Sequence, residues 1–486
     1  MDTVTTARQA DLTGEFAART SRSAEHYRQA CACLPGGETR SVTLYQPYPV
    51  VLAEGQGALV RDLDGNEYVD VLNNYTSLVH GHAFGPVVEA VAAALPAGTV
   101  FPAPHPAQVR LAGMLCDRYP ALQLVRFTNS GTEASLLALR IARAATGRRR
   151  IVAFTGAYHG GVPDIVDGGP DTVWVPYNDA DQAMAAIDSS VAAVFVEPFL
   201  GSAGVVPAAP GFLGRIGDRA REVGAVFVLD EVQALRNAPN GTHAALGLQP
   251  DLVLMGKIIG GGFPVGAVGG RTSLMDLTSA ARADSLSCSG TFNGNVITMT
   301  AGAVALAALD VPAIAELNGR AHKLSSRIEA AAARAGIPAR VTRAGSIMHV
   351  HLAERAPTSA EQADAVPVAW ASALHLALLL EGVYAAPRGM LDLSTAIGDD
   401  LLARVANGYA AAFGRIRDLI TALDAFAGDR DDHPQDQDQA EEEADVAEYV
   451  EERGAAGAGG GGQEERAAAD ADQHDGDDAE RGAEEG

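Results

Sequence analysis

Short apolar runs alternate with Ala-rich amphipathic stretches through the middle of the chain. Five runs read as strands: Leu124–Thr128, Ile151–Phe154, Ala193–Glu197, Ala225–Asp230 and Leu252–Met255. Helical patterning lies between several of them, at Glu133–Thr146, Ala180–Asp188 and Phe212–Val223. Continuous apolar strands separated by helices predict a largely parallel sheet covered on both faces, an α/β architecture. Polar residues gather just past the strand ends, at Asn129-Ser130-Gly131-Thr132, Glu197-Pro198, Asp230-Glu231 and Lys257. In open α/β sheets that carboxyl edge is where ligands bind, so the pattern alone places a site. After Val311 the texture changes to a long helix (Ala313–Ala335), short strands around Ala339–Leu352 and a further helix at Ala365–Glu381. A second, smaller α+β domain is expected there, joined by the N-terminal segment.

Charge changes the picture at one end only. The 486 residues carry a net charge of −25, but from Ala425 to Gly486 22 Asp and Glu stand against four Arg. Asp429 to Asp445 is mostly Asp, Gln and Glu, and Gly457 to Gly462 is pure glycine but for one alanine. Such a segment has too little apolar surface to offset its ordering entropy, so the tail is expected to be disordered. The remainder is close to neutral and has no basic footprint, which argues against a nucleic-acid partner. No run approaches the roughly 20 apolar residues of a bilayer crossing, and Met1 to Arg19 lacks an apolar signal core. The four cysteines (Cys31, Cys33, Cys116, Cys288) form no CxxC pair. A reduced cytoplasmic enzyme, without a metal site, is the expectation.

Lysine usage is the sharpest chemical clue. Of 36 basic residues only Lys257 and Lys323 are lysine. A chain so biased towards arginine keeps lysine where a primary amine is needed, and imine formation is one such need. Lys323 falls in an amphipathic helix where a solvated lysine is unremarkable. Lys257 stands between an apolar strand and the run Gly260-Gly261-Gly262; a surface lysine in a glycine loop is the alternative. The segment Thr128-Asn129-Ser130-Gly131-Thr132-Glu133 reads as a capping box, with Ser130 capping and Glu133 reaching back. It also reads as a phosphate cup, since a capped helix N-terminus is itself an anion site. Asp230 ends the strongest apolar strand and requires a cationic partner. Tyr158 offers a flat face, and His159 an imidazole whose plainer role is a loop hydrogen bond. An imine-forming lysine, a carboxylate for a pyridinium nitrogen, a stacking face and a phosphate cup are the requirements of pyridoxal phosphate.

These stretches carry a resemblance. Arg126 to Ala134, Gly156 to Gly160, Asp230-Glu231-Val232, Pro250 to Gly262 and Gly290 to Asn295 resemble the class III aminotransferases, fold-type-I pyridoxal phosphate enzymes. The branch holding glutamate semialdehyde aminomutase and the β-phenylalanine-type aminotransferases is the most similar. The resemblance implies a seven-stranded, mostly parallel sheet and a homodimer with both sites at the subunit interface. It implies Ser130, Gly131 and Thr132 on the phosphate, with Thr291 reaching the neighbouring subunit's phosphate. Tyr158 would stack on the ring, Asp230 pair its nitrogen, Val232 pack its other face, and Lys257 form the imine; His159 and Glu197 would lie near the ring. In Leu34-Pro35-Gly36-Gly37-Glu38-Thr39-Arg40 the arginine resembles one that binds a substrate carboxylate. In Ala386-Pro387-Arg388-Gly389-Met390 it resembles one that receives the carboxylate of a 2-oxo acid acceptor. Transamination from a β-amino acid, aromatic ones included, to 2-oxoglutarate or another 2-oxo acid is thus implied. Aminomutase-like intramolecular transfer is the alternative, disfavoured by the short Gly37-to-Arg40 spacing and by Met390-Leu391-Asp392, where a glutamate is usual. Gln233-Ala234-Leu235-Arg236 replaces the usual aromatic-containing run. The expected division is an N-terminal segment (1–70) shared with the small domain and dimer interface, a large cofactor domain (71–311), a small domain (312–424) and the tail (425–486).

Overall fold

Strands buried on both faces have no polar alternation to keep, and Val191–Val196, Val226–Asp230, Leu252–Gly256 and Gly266–Gly270 are among those buried at every position. They lie inside a seven-stranded sheet in a computed structural model of the protein, which describes residues 3–166 and 168–428. The strand order is Leu124–Thr128, Gly266–Gly270, Leu252–Gly256, Val226–Asp230, Val191–Val196, Arg150–Thr155, Thr172–Pro176. Gly266–Gly270 runs antiparallel to both neighbours, and the other pairings are parallel. Alternate residues serve opposite faces, as the period of two requires. Ile151, Val228, Leu254 and Val268 pack on Leu137 and Ile141 of the helix Gly131–Thr146. Val152, Phe154, Val194 and Leu229 pack on Phe212 and Ile216 of the helix Phe212–Val223.

Two of the seven strands, Thr172–Pro176 and Gly266–Gly270, had no counterpart among the sequence expectations. Glycine hides the second, and the packing explains the glycine. A Cβ on Gly266 would stand 1.9 Å from the Ser130 carbonyl oxygen. This strand therefore passes directly under the start of the Gly131–Thr146 helix. Gly266→Ala is expected to lower stability by about 1–3 kcal/mol, because the added methyl would meet the Ser130 backbone, which cannot rotate away as a side chain can. Urea unfolding measures the loss; a midpoint matching the parent would contradict this account.

Beyond the sheet, Arg340–Ala344, Ile347–His351 and Met390–Asp392 form an antiparallel three-stranded sheet. Leu52–Gln56, Leu59–Asp62 and Glu67–Asp70 form another, completed by Val383–Tyr384 lying parallel to Glu67–Asp70. N-terminal and C-terminal segments thus share one sheet. The helices Val311–Ala335 and Val368–Leu380 fall close to their expected places. Among the described residues no single helix is long and apolar enough to cross a membrane. Of the tail expected to be disordered (425–486), residues 425–428 close the helix Asp399–Gly428, and the acidic stretch from Asp429 onward lies outside the described residues.

Candidate active site

The Leu252–Gly256 strand delivers Lys257 to the carboxyl edge in an unusual backbone state, with φ +49°. A non-glycine residue there costs about 1–2 kcal/mol and persists only where the surroundings fix it. They do so here. Gly302 of the helix Val296–Ala308 lies so close that a Cβ would be 2.0 Å from Ile259 O. Lys257 Nζ has no hydrogen bond or ion pair among the described residues. Its side chain keeps one face on a cavity while protein encloses the rest. Burial lowers its pKa to about 8, against the pull of Asp230 and Glu197. An amine whose pKa has come down this far has a neutral, nucleophilic form within easier reach near neutral pH than an ordinary lysine does.

Asp230 closes the neighbouring strand, buried, with Oδ2 2.8 Å from His159 Nδ1 and Oδ1 accepting from Val232 N–H at 3.0 Å. Burial opposes protonation of His159, but the hydrogen bond and charge of Asp230, with Glu197 behind, raise its pKa above the ordinary value. His159 is therefore more than a loop hydrogen-bonder: it is the cationic partner the buried Asp230 requires. Its Nε2 is buried without a partner. Glu197 follows the Val191–Val196 strand and accepts from Tyr158 N–H at 2.9 Å and Gly201 N–H at 3.1 Å. Burial pushes its carboxyl up to about 7.

The cup is built as the sequence suggests, with one difference. Ser130 caps the helix by accepting from Glu133 N–H at 3.1 Å, but Glu133 Oε2 accepts from Asn129 N–H at 2.8 Å, not from Ser130. The N–H groups of Gly131 and Thr132 open the helix and have no partner within it. Thr132 Oγ1 accepts from Gly161 N–H at 3.3 Å, and a Cβ on Gly160 would strike that oxygen at 2.3 Å, so glycine brings the Tyr158 loop against the cup. Ser130, Gly131, Thr132, Tyr158, His159, Glu197, Asp230, Val232 and Lys257 all line one cavity of about 850 Å³.

Arg40 and Arg388 line the same cavity. Arg40 Nη1 donates to Asn74 Oδ1 at 2.5 Å, and its guanidinium lies 5.2 Å over the Tyr75 ring. Arg388 has no hydrogen bond or ion pair among the described residues. Thr291 is exposed and outside this cavity, so its expected phosphate contact is not made within one chain. Gln233 lines the cavity, whereas Arg236 turns into the protein. The sequence reading missed His349, also on the cavity wall, whose ring stacks on His351 at 4.2 Å. Burial, then the neighbouring His351, hold its pKa well below the usual value. Two histidines two apart in an apolar strand were the available signal, since they share a face.

The donor set fits pyridoxal phosphate. A lone amine of lowered pKa, a buried carboxylate backed by an imidazole, and an open helix N-terminus converge on one cavity.

Known proteins agree with this geometry. The model of the family described as aminotransferase class-III matches residues 42–166 and 174–396. The beta-phenylalanine transaminase of Variovorax paradoxus is 39% identical over 415 residues, 83% of this chain and 94% of its own. A glutamate-1-semialdehyde 2,1-aminomutase 2 of Geobacillus kaustophilus is 35% identical over 426 residues, covering 82% and 99%. Among solved structures, an omega-transaminase from Sphaerobacter thermophilus superposes with a TM-score of 0.77 at 38% identity, over 81% of this chain and 98% of that one.

Proposed function

The chain belongs to the class III aminotransferases, pyridoxal phosphate enzymes, and from that premise we propose that it takes the amino group of a β-amino acid, aromatic ones included, and passes it to 2-oxoglutarate or another 2-oxo acid. The observation carrying the substrate reading is the pair of guanidiniums, Arg40 and Arg388, on the wall of the cavity that holds Lys257. Two separate arginines suit a site that must accept a carboxylate in each half-reaction. The name of the Variovorax relative supports the β-amino acid.

Bound pyridoxal phosphate supplies an electron sink for the pair released when the substrate carbon loses its proton. Ser130, Gly131 and Thr132 would hold its phosphate, Tyr158 and Val232 its two faces, and Asp230 its ring nitrogen. His159 supports Asp230 from behind and keeps that carboxylate aimed. Glu197, tied to the Tyr158 backbone, would sit beside the ring. Lys257, with its pKa near neutrality, carries the proton taken from the substrate carbon and returns it. Arg40 would orient the donor through its carboxylate, and Arg388 the acceptor.

We further read the protein as a homodimer in which Thr291 reaches the neighbouring phosphate. The exposed Val100, Phe101 and Phe292 support this, linked through the Asn295 Nδ2 to Thr99 O hydrogen bond at 3.1 Å. Four free cysteines suit a cytoplasmic setting. The divisions at 70/71 and 311/312 are the domain boundaries we propose.

A panel of α-, β- and ω-amino acids with 2-oxoglutarate, scored for glutamate, tests the reading. β-Amino acids should lead. Arg40→Ala should lower their kcat/KM, and Arg388→Ala that of 2-oxoglutarate, each roughly 10- to 150-fold, as loss of a charge-assisted pair implies. Inactive β-amino acids beside active ω-amines would overturn the substrate and leave the chemistry. Amino migration within one substrate, without any oxo acid, would instead favour the aminomutase alternative. The 35% identical aminomutase relative keeps that alternative in view. At Met390-Leu391-Asp392, where those enzymes usually carry a glutamate, the one carboxylate, that of Asp392, is tied up in a buried ion pair with Arg236, which argues against it.

A further inference from the structure

Arg236, the last residue of the run that stands in place of the family's usual aromatic-containing one, is fully buried. Its Nη1 donates to Asp392 Oδ1 at 2.7 Å and to Thr76 O at 3.3 Å, and its Nη2 donates to Leu393 O. Asp392 is held from a second side, since Asn73 Nδ2 donates to its Oδ1 at 3.3 Å and to its carbonyl at 3.0 Å. Between those anchors, Asn73, Asn74, Tyr75 and Thr76 have φ of 45°, 50°, 55° and 72°. Four successive L-residues in the left-handed region form a turn that chains adopt singly, not in runs. Only outside restraint keeps it.

The other side of that turn meets the substrate arginine. Asn74 Oδ1 accepts from Arg40, the Tyr75 ring lies under the Arg40 guanidinium, and Tyr75 Oη donates to Val42 O at 2.7 Å. The turn is thus a bracket, fastened within by Arg236 and Asp392 and carrying the Arg40 segment outside.

We infer that Arg236 and Asp392 are positioning residues for carboxylate recognition: their buried pair holds the left-handed turn Asn73–Thr76, and the turn fixes the Arg40 guanidinium over the cavity. This rests on the reading of Arg40 as a carboxylate site. A buried ion pair gains little stability over well-packed apolar residues of the same volume, so its worth here lies in geometry. The guanidinium fork engages three acceptors on two segments at once, which no apolar side chain does.

The test uses cofactor-loaded enzyme and single-turnover donor half-reactions. One donor is 3-amino-3-phenylpropanoate; the other is 1-phenylpropylamine, which lacks the carboxylate. The double variant Arg236→Met/Asp392→Leu removes the pair without stranding a charge. It should lower the preference for the carboxylate donor about 10-fold, through apparent affinity and not the limiting rate, with the amine unchanged. Binding of 3-phenylpropanoate, which carries the carboxylate without the amine, should weaken alike. Arg236→Lys, which keeps the charge but cannot span three acceptors, should fall between. It also keeps the test decisive if the double variant does not fold. Equal losses on both donors would mean that the pair serves the fold alone, and the inference fails. It fails also if Arg40→Ala collapses the preference while neither Arg236 variant changes it. If Arg40→Ala itself leaves the preference intact, the carboxylate reading of Arg40 is what falls.

Discussion

Lys257→Ala should lower turnover about 10⁴-fold, the upper range for removing a proton-transferring group, before any loss of covalent attachment is added. The argument starts from scarcity. Lys323, the only other lysine, lies in the helix Val311–Ala335, outside the cavity, so no second amine can substitute. It continues through the environment, because burial has already brought the Lys257 pKa down to about 8. The strained backbone at Lys257 sharpens the prediction. Alanine suffers the same left-handed penalty as lysine, so the variant should fold as the parent does, and thermal unfolding will verify it. Borohydride reduction of the loaded parent, followed by peptide mapping, should mark Lys257. A mark on Lys323, or undiminished turnover in the variant, would defeat the assignment.

How much of this site could be read beforehand depended on whether a residue's role was local. Lys257, Asp230 and Ser130 stand at or just past the ends of strands that the apolar runs announce, so their place at one edge was legible. Ser130 and Glu133 announced a capped helix through neighbours in sequence. The Gly266–Gly270 strand was not legible, because three of its five residues are glycine and carry no hydrophobic signal. Its glycines answer to Ser130 and other distant partners. The His159–Asp230 contact spans 71 positions, and Arg236–Asp392 spans 156. Neither partner's local pattern points to the other. The left-handed turn at Asn73–Thr76 is the extreme case. Asn tolerates that region, but Tyr and Thr disfavour it, and distant partners impose it: the buried Arg236–Asp392 pair, together with Asp70, whose Oδ1 accepts from the Leu72 and Asn73 N–H groups. Local propensity was overridden where the geometry of the cavity required it.

Asp230→Asn is expected to lower turnover about 10³-fold, comparable with removing one preorganised electrostatic partner from a dry site. The side chain remains nearly the same shape, so Val232 N–H keeps an acceptor. What disappears is the negative charge at the end of the Val226–Asp230 strand, where a cationic ring nitrogen would be held. The same change has a signature in stability. The folded His159 pKa stands above its ordinary value of about 6.5 because Asp230 outweighs burial. A raised folded pKa contributes stability that is fully present below the unfolded value and is lost as pH rises through the folded one. In the variant the largest support for the charged imidazole is gone, and only Glu197 is left to oppose burial, which disfavours it. The variant should therefore lose stability as pH falls below about 6.5, where the parent retains its full contribution. Unfolding at pH 5.5 and pH 8.5 should show the gap between parent and variant wide at the lower pH and narrow at the higher. A gap of equal size at both would mean that His159 is not charged against Asp230, and the electrostatic account of the cofactor's ring site would fall with it.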